Sequence, residues 1–135
     1  MKLLFFLSVT TLILVMSSAF NSFHQAKDPW PVPEKYMKMA NPVAKNAESV
    51  SDGKSLWTQH CQSCHGKTGK GDGPKAGELK TEPGDFTNAE TQKQPDGALF
   101  YKSSEGRKDM PSFKKKISDP DDIWSIVNYM RTLKK

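Results

Sequence analysis

Two cysteines are all that this chain of 135 residues contains, and they stand in one short stretch, HCQSCHGK, residues 60–67. Two of its three histidines, His60 and His65, flank them. Whatever Cys61 and Cys64 do together must be done on a single turn of chain. A disulfide across two intervening residues closes a small, strained ring, a poor staple and more typical of redox-active motifs. A zinc site wants four ligands from separated pairs. Here only His24 and His60 remain to complete one, and neighbours such as His60 and Cys61 do not comfortably reach one ion. A thioredoxin-like dithiol wants a strand–helix setting, and the pattern around this motif is helix and loop.

The fourth reading of Cys61-Gln62-Ser63-Cys64-His65 is covalent attachment of a c-type haem, the chemistry that Cys-x-x-Cys-His names. The spacing has a mechanical reason. Residues at i and i+3 near a helix end point the same way, so Cys61 and Cys64 can both add to vinyl groups on one porphyrin edge. His65 follows at once and can offer a ring nitrogen to the iron. Thioether bonds also explain two cysteines kept out of a disulfide in an exported chain. Export is expected from the N-terminus. Lys2 precedes an apolar run from Leu3 to Met16, and Ser17-Ser18-Ala19 supplies small residues for cleavage. Residues 1–19 are expected to be a signal peptide. The competing reading is an uncleaved membrane anchor, since a span needs about 20 apolar residues and 3–20 comes close.

Beyond it the chain divides into a Pro-containing arm, residues 20–50, and a domain, residues 51–135. WPVP, residues 30–33, excludes helix at that point, and one helical turn is expected near 35–40. In the domain, Ser51 or Asp52 should cap a helix running to about Gln62, with Gly53, Trp57 and Cys61 on one face. Residues 67–88 are dense in Gly and Pro and read as loop. A short helix is expected over 98–104, ended by Gly106. Ser118-Asp119-Pro120-Asp121 should open a last helix, to about Leu133, with Ile123, Ile126, Val127 and Met130 as its apolar stripe. No stretch alternates with period two. The expectation is an all-α chain with long loops. Its hydrophobic fraction of 36% is lean, and a cofactor in the core would ease the shortage. Phe86, Leu99, Phe100, Phe113, Ile117, Trp124 and Val127 are expected core or pocket walls.

A low-spin haem needs a sixth iron ligand, and methionine sulfur suits it. Met1 and Met16 go with the signal; Met37 and Met39 are in the arm; Met130 belongs to the last helix and its apolar stripe. Met110 is in a loop, stiffened by Pro111 and far enough from His65 to reach the opposite haem face. His24 and His60 are rival ligands. The formal net charge is +5, with runs at 114–116 and 134–135. In an exported chain without basic stretches interleaved with aromatics this argues against nucleic acid and for an acidic protein partner. GKGDGP, residues 69–74, lacks the Lys-Ser/Thr ending of a phosphate loop.

Three separated patterns over roughly Ser51 to Leu133 resemble class I c-type cytochromes: the Gly53–Trp57–Cys61 face, the Ile126–Tyr129 pair on the last helix, and the Met110-Pro111 loop. His65 to Leu79, with Phe86 behind it, is similar to a subgroup of small bacterial monohaem cytochromes. The resemblance implies a cytochrome c-like fold, three to five short helices with long loops around one covalent haem c. It implies Cys61 and Cys64 as thioether donors, His65 as proximal ligand and Met110 as distal ligand. In the family a proline carbonyl accepts the N–H of the proximal histidine; Pro74 is the candidate here and Pro83 the alternative. The implied function is one-electron transfer, without enzymatic chemistry, between respiratory or dehydrogenase partners in the periplasm or another extracytoplasmic space, with membrane association through the N-terminus if that segment stays. The rival functions are a haem peroxidase or gas sensor, and a subunit docked permanently in a larger oxidoreductase.

Overall fold

The last helix shows why this sequence folds as it does. In the computed structural model, which describes residues 29–135, α6 spans Pro120–Met130. Asp119 caps it by accepting a hydrogen bond from the Asp121 N–H at 2.9 Å, and Pro120 opens it. Asp121 and Asp122 sit in the first turn, where the helix dipole favours negative charge. Its stripe is buried as expected, from Ile123 to Met130. Beyond Met130 the chain tightens into i→i+3 bonds, Thr132 N–H to the Tyr129 carbonyl and Leu133 N–H to the Met130 carbonyl, so the helix stops short of Leu133.

The other helices are α1 Glu34–Met37, α2 Ala47–His60, α3 Gln62–His65, α4 Ala89–Gln92 and α5 Asp96–Glu105, with a 3-10 turn over Ala76–Glu78. The described residues carry six helices and no strand; Arg107 and Met110 pair in one isolated bridge. Three of the six are single turns of four residues, which is where the count passes the expected three to five. None is long and apolar enough to cross a membrane among the described residues. The expected signal segment, residues 1–19, and His24 lie outside the described residues.

Helix α2 starts earlier than expected. Asn46, not Ser51 or Asp52, is its cap. The Asn46 side chain accepts from the Ser49 N–H at 2.8 Å, and the Ser49 hydroxyl accepts from the Asn46 N–H at 3.2 Å. That reciprocal pair satisfies two otherwise unpaired donors. Helices α2 and α6 cross at Gly53, where any Cβ would collide with the Ser125 carbonyl oxygen. This is the close approach expected of a Gly–aromatic–Cys face. One turn on, Trp57 is almost fully buried, edge-on to Tyr129 with ring centroids 5.8 Å apart.

Residues 31–135 form one compact unit. Within it, the stretch before α2 packs onto α5 and α6. Tyr36 lies against Tyr101 at 4.7 Å and stacks near Phe100, and Gly97 admits the Tyr36 carbonyl where a side chain would not fit. Asn128, buried on α6, donates to the Val43 carbonyl at 3.1 Å and accepts from Asn41 at 2.9 Å. Buried amides so satisfied are specific ties.

Candidate haem site

The motif falls at a break between two helices. Cys61 ends α2 with φ −115°, and α3 restarts at Gln62. The N–H groups of Cys64 and His65 both reach the Cys61 carbonyl, at 3.2 and 3.0 Å, which sets both cysteines and the histidine on one turn. Gly66 ends α3 at φ +80°, a conformation natural to glycine. The following loop folds back over the motif. Gly71 N–H donates to the His65 carbonyl, Gly73 N–H to Cys64 and Lys75 N–H to Ser63. The carbonyls that α3 leaves unpaired are thereby satisfied. The loop that contains GKGDGP thus spends its Gly71 and Gly73 N–H groups on α3.

His65 is buried in an aromatic setting. Its ring centroid lies 5.6 Å from Trp57 and 5.2 Å from Phe86. Trp57 in turn donates its Nε1–H to the Gly66 carbonyl at 3.1 Å. Burial pushes the His65 pKa down to about 4 from an ordinary 6.5, and a backbone hydrogen bond to the Pro83 carbonyl pulls the other way. Nδ1 is fully buried and makes no hydrogen bond of standard geometry. Of the two candidate prolines, it is Pro83 whose carbonyl lies by the ring, next to the Gly84 bend at φ +79° and the Phe86 N–H bond to the Gly69 carbonyl at 2.7 Å.

Cys61, His65 and Met110 line one cavity. Trp57, Phe86, Phe113 and Ile117 are among its apolar walls, and α6 contributes Ile123, Ile126 and Met130. Ser103 is its polar neighbour. Leu99, Phe100, Trp124 and Val127, named beforehand as core or walls, belong to the core alone: Phe100 and Trp124 stack at 4.1 Å. Met130 reaches this cavity too, besides packing in the core as expected. Met37 and Met39 are exposed on the arm. His60 meets the Phe113 ring edge-on at 6.0 Å.

The site fits a haem better than the rival groups. Burial and the low pKa of His65 describe a neutral imidazole, the form that ligates metal. Burial, with Cys64 adding to it, pushes the Cys61 thiol up to about 12. No group of three or more His, Cys, Asp or Glu side chains is assembled for a metal among the described residues.

Met110 is held by its own loop. Arg107 and Met110 exchange backbone hydrogen bonds at 2.8 and 3.0 Å, Lys108 adopts φ +54°, and Gly106 turns at φ +67°. Two residues that sequence reasoning passed over brace the surroundings of the site. Gln92 donates to the Phe86 and Met130 carbonyls, at 2.6 and 2.9 Å. Asp109, next to Met110, accepts from two backbone N–H groups of another loop.

This helical fold and this apolar, cysteine-edged histidine cavity define a c-type cytochrome domain. The family model described as Cytochrome C oxidase, cbb3-type, subunit III matches residues 48–130, and the chain belongs to that family of class I-like c-type cytochrome domains. Among solved structures it is similar to a chain of the Kuenenia stuttgartiensis reducing HAO-like protein complex Kustc0457/Kustc0458. The identity is 26% and the TM-score 0.63, over 82% of this chain and 53% of that one. This chain thus spans about half the length of that relative. It is also similar to the KustC0563 c-type cytochrome, at 32% identity and TM-score 0.55, over 62% of this chain and 99% of that one. No curated protein matches it. The chain is a small c-type cytochrome, of a family that implies haem c as its cofactor.

Proposed function

We propose that the chain is an exported monohaem carrier of single electrons. Cys61 and Cys64 would hold one haem c through thioethers, and His65 and Met110 would ligate its iron. One observation carries this reading: His65 and Met110, far apart in sequence, line the same apolar cavity beside Cys61. The haem, when bound, supplies a ferric–ferrous couple.

The chain's own residues do the rest. Trp57 and Phe86 fix the plane of the His65 ring, and the Pro83 carbonyl accepts its N–H, which raises ligand basicity. The walls from α2, α6 and the Phe113 loop keep water from the ligands. Methionine on the opposite side favours the ferrous state and a high potential. A methionine poised there also disfavours the open iron position that a peroxidase or gas sensor needs. The lysine-rich surface, with a formal net charge of +5, suits brief docking on acidic redox partners in the periplasm or another extracytoplasmic space.

A second reading has its own support. The likeness covers 82% of this chain, arm included, in a protein whose name places it in a complex. The chain would then work as a docked subunit. Co-purification after mild solubilisation separates a subunit from a free shuttle.

The carrier reading is tested on protein made in a host that attaches haem c. Its intact mass under denaturing conditions should be raised by one haem, and a potentiometric titration should follow a single one-electron wave. An unchanged mass would overturn the assignment of Cys61 and Cys64. A one-electron wave with a reaction rate indifferent to salt would leave the carrier and remove the acidic docking partner.

A further inference from the structure

Asp109 sits beside the proposed distal ligand, and its side chain links the ligand loop to residues 80–81 of another loop. Its Oδ2 accepts hydrogen bonds from the backbone N–H groups of Lys80 and Thr81, both at 3.0 Å. Two residues further along that segment is Pro83, whose carbonyl acts on His65. A single carboxylate therefore straps the loop bearing Met110 to the segment that serves the opposite ligand.

The loop needs such a strap. Lys108 holds φ +54°, a left-handed conformation that disfavours most side chains. Gly106 leaves no room for a Cβ, which would collide with the Pro111 and Met110 backbones. Ties within the loop include the Arg107–Met110 backbone pair and the Ser112 hydroxyl on the Ser104 carbonyl at 2.7 Å. These hold its shape, while Asp109 reaches residues 80–81 on another loop. Two N–H donors on one ionised carboxylate oxygen are charge-assisted bonds, stronger than neutral ones.

We propose that Asp109 is the positioning residue for Met110, holding the distal methionine loop in register through the Lys80 and Thr81 amides. This rests on the assignment of Met110 as axial ligand. The carboxylate touches neither haem nor iron in this role. It acts by lowering the population of loops swung away from the site.

The test uses the haem-loaded full chain in its oxidised form. The weak long-wavelength sulfur-to-iron band is followed as urea rises, beside far-ultraviolet circular dichroism on the same samples. Loss of one or two charge-assisted bonds should raise the band-less population of Asp109→Ala about tenfold before the helices unfold, as befits bonds of about 1.5 kcal/mol or more. Asp109→Asn keeps an acceptor oxygen and should restore most of the band. If Asp109→Ala loses band and helix together at one urea concentration, or keeps the wild-type profile, the positioning role is wrong. If the wild-type protein has no such band, the Met110 assignment itself fails and the strap has no ligand to position.

Discussion

His65 and Met110 line the same cavity but are held in different ways. His65 is buried on α3, packed against the rings of Trp57 and Phe86, with the loop over 69–75 hydrogen-bonded to its turn. Those rings belong to the main core, where α2 crosses α6 at Gly53. Met110 is only half-buried, on a loop whose neighbours Lys108 and Asp109 are exposed. Its position comes from a backbone pair, a positive-φ residue, a glycine and one carboxylate. The histidine side cannot move without opening the core. The methionine side can move more readily, because it is a half-buried loop position with exposed neighbours, and low-stability segments are where local opening happens. A carrier needs the first to be permanent. It tolerates the second being adjustable.

That contrast predicts an ordering of effects. The largest should come from Gly53→Val. Its branched side chain meets the Ser125 carbonyl and must drive α2 from α6. The expected loss is about 3 kcal/mol or more, read as a fall in the urea midpoint, with both ligands lost together. A small shift would mean that the crossing yields easily. Next is Trp57→Phe, which deletes the Nε1–H bond to Gly66 and part of a buried ring. About 2 kcal/mol should go, again as a global change, and the haem should stay attached.

Gly106→Ala belongs to the other side. It places a Cβ against the Met110 and Pro111 backbones at φ +67°. The strain is of order 1–3 kcal/mol, and it should appear as loss of the methionine signature while the helical unfolding midpoint barely moves. Coincident losses would erase the distinction between the two sides. The smallest effect should be that of Lys38→Ala. The Lys38–Glu34 pair is exposed on both sides, and such pairs contribute at most about 0.5 kcal/mol. Neither ligand should register it; a measurable change in the haem spectrum would give the arm a role that its contacts do not suggest.

Much of the histidine side was legible in the sequence. The Cys61–His65 pattern, the Gly53–Trp57 face and the α6 stripe are local or periodic, and periodicity survives folding. What was not legible depends on contacts between distant residues. That Pro83 rather than Pro74 lies by His65 depends on how the loops beyond α3 close, through pairs such as Phe86 N–H on the Gly69 carbonyl. The early start of α2 was hidden because Asn46 pairs with a serine, not the glutamate or glutamine of the usual box. Helix α4 is a single turn capped by Asn88, too short to show a period. The arm read as separate, yet Asn41 and Tyr36 are bound to α6 and α5 through partners far along the chain. The carboxylate of Asp109 carried no signal at all: an acidic residue in a Gly-led loop is ordinary until the N–H groups that donate to it are seen in space.

The central claim is that Met110 completes the site opposite His65, and Met130, which lines the same cavity, is the sharpest control. The direct measurement is the oxidised visible spectrum of three haem-loaded proteins: wild type, Met110→Ala and Met130→Leu. The account predicts a low-spin spectrum with the weak sulfur-to-iron band in wild type and Met130→Leu, and its loss in Met110→Ala alone. A band that survives Met110→Ala, or that disappears in Met130→Leu, would contradict it.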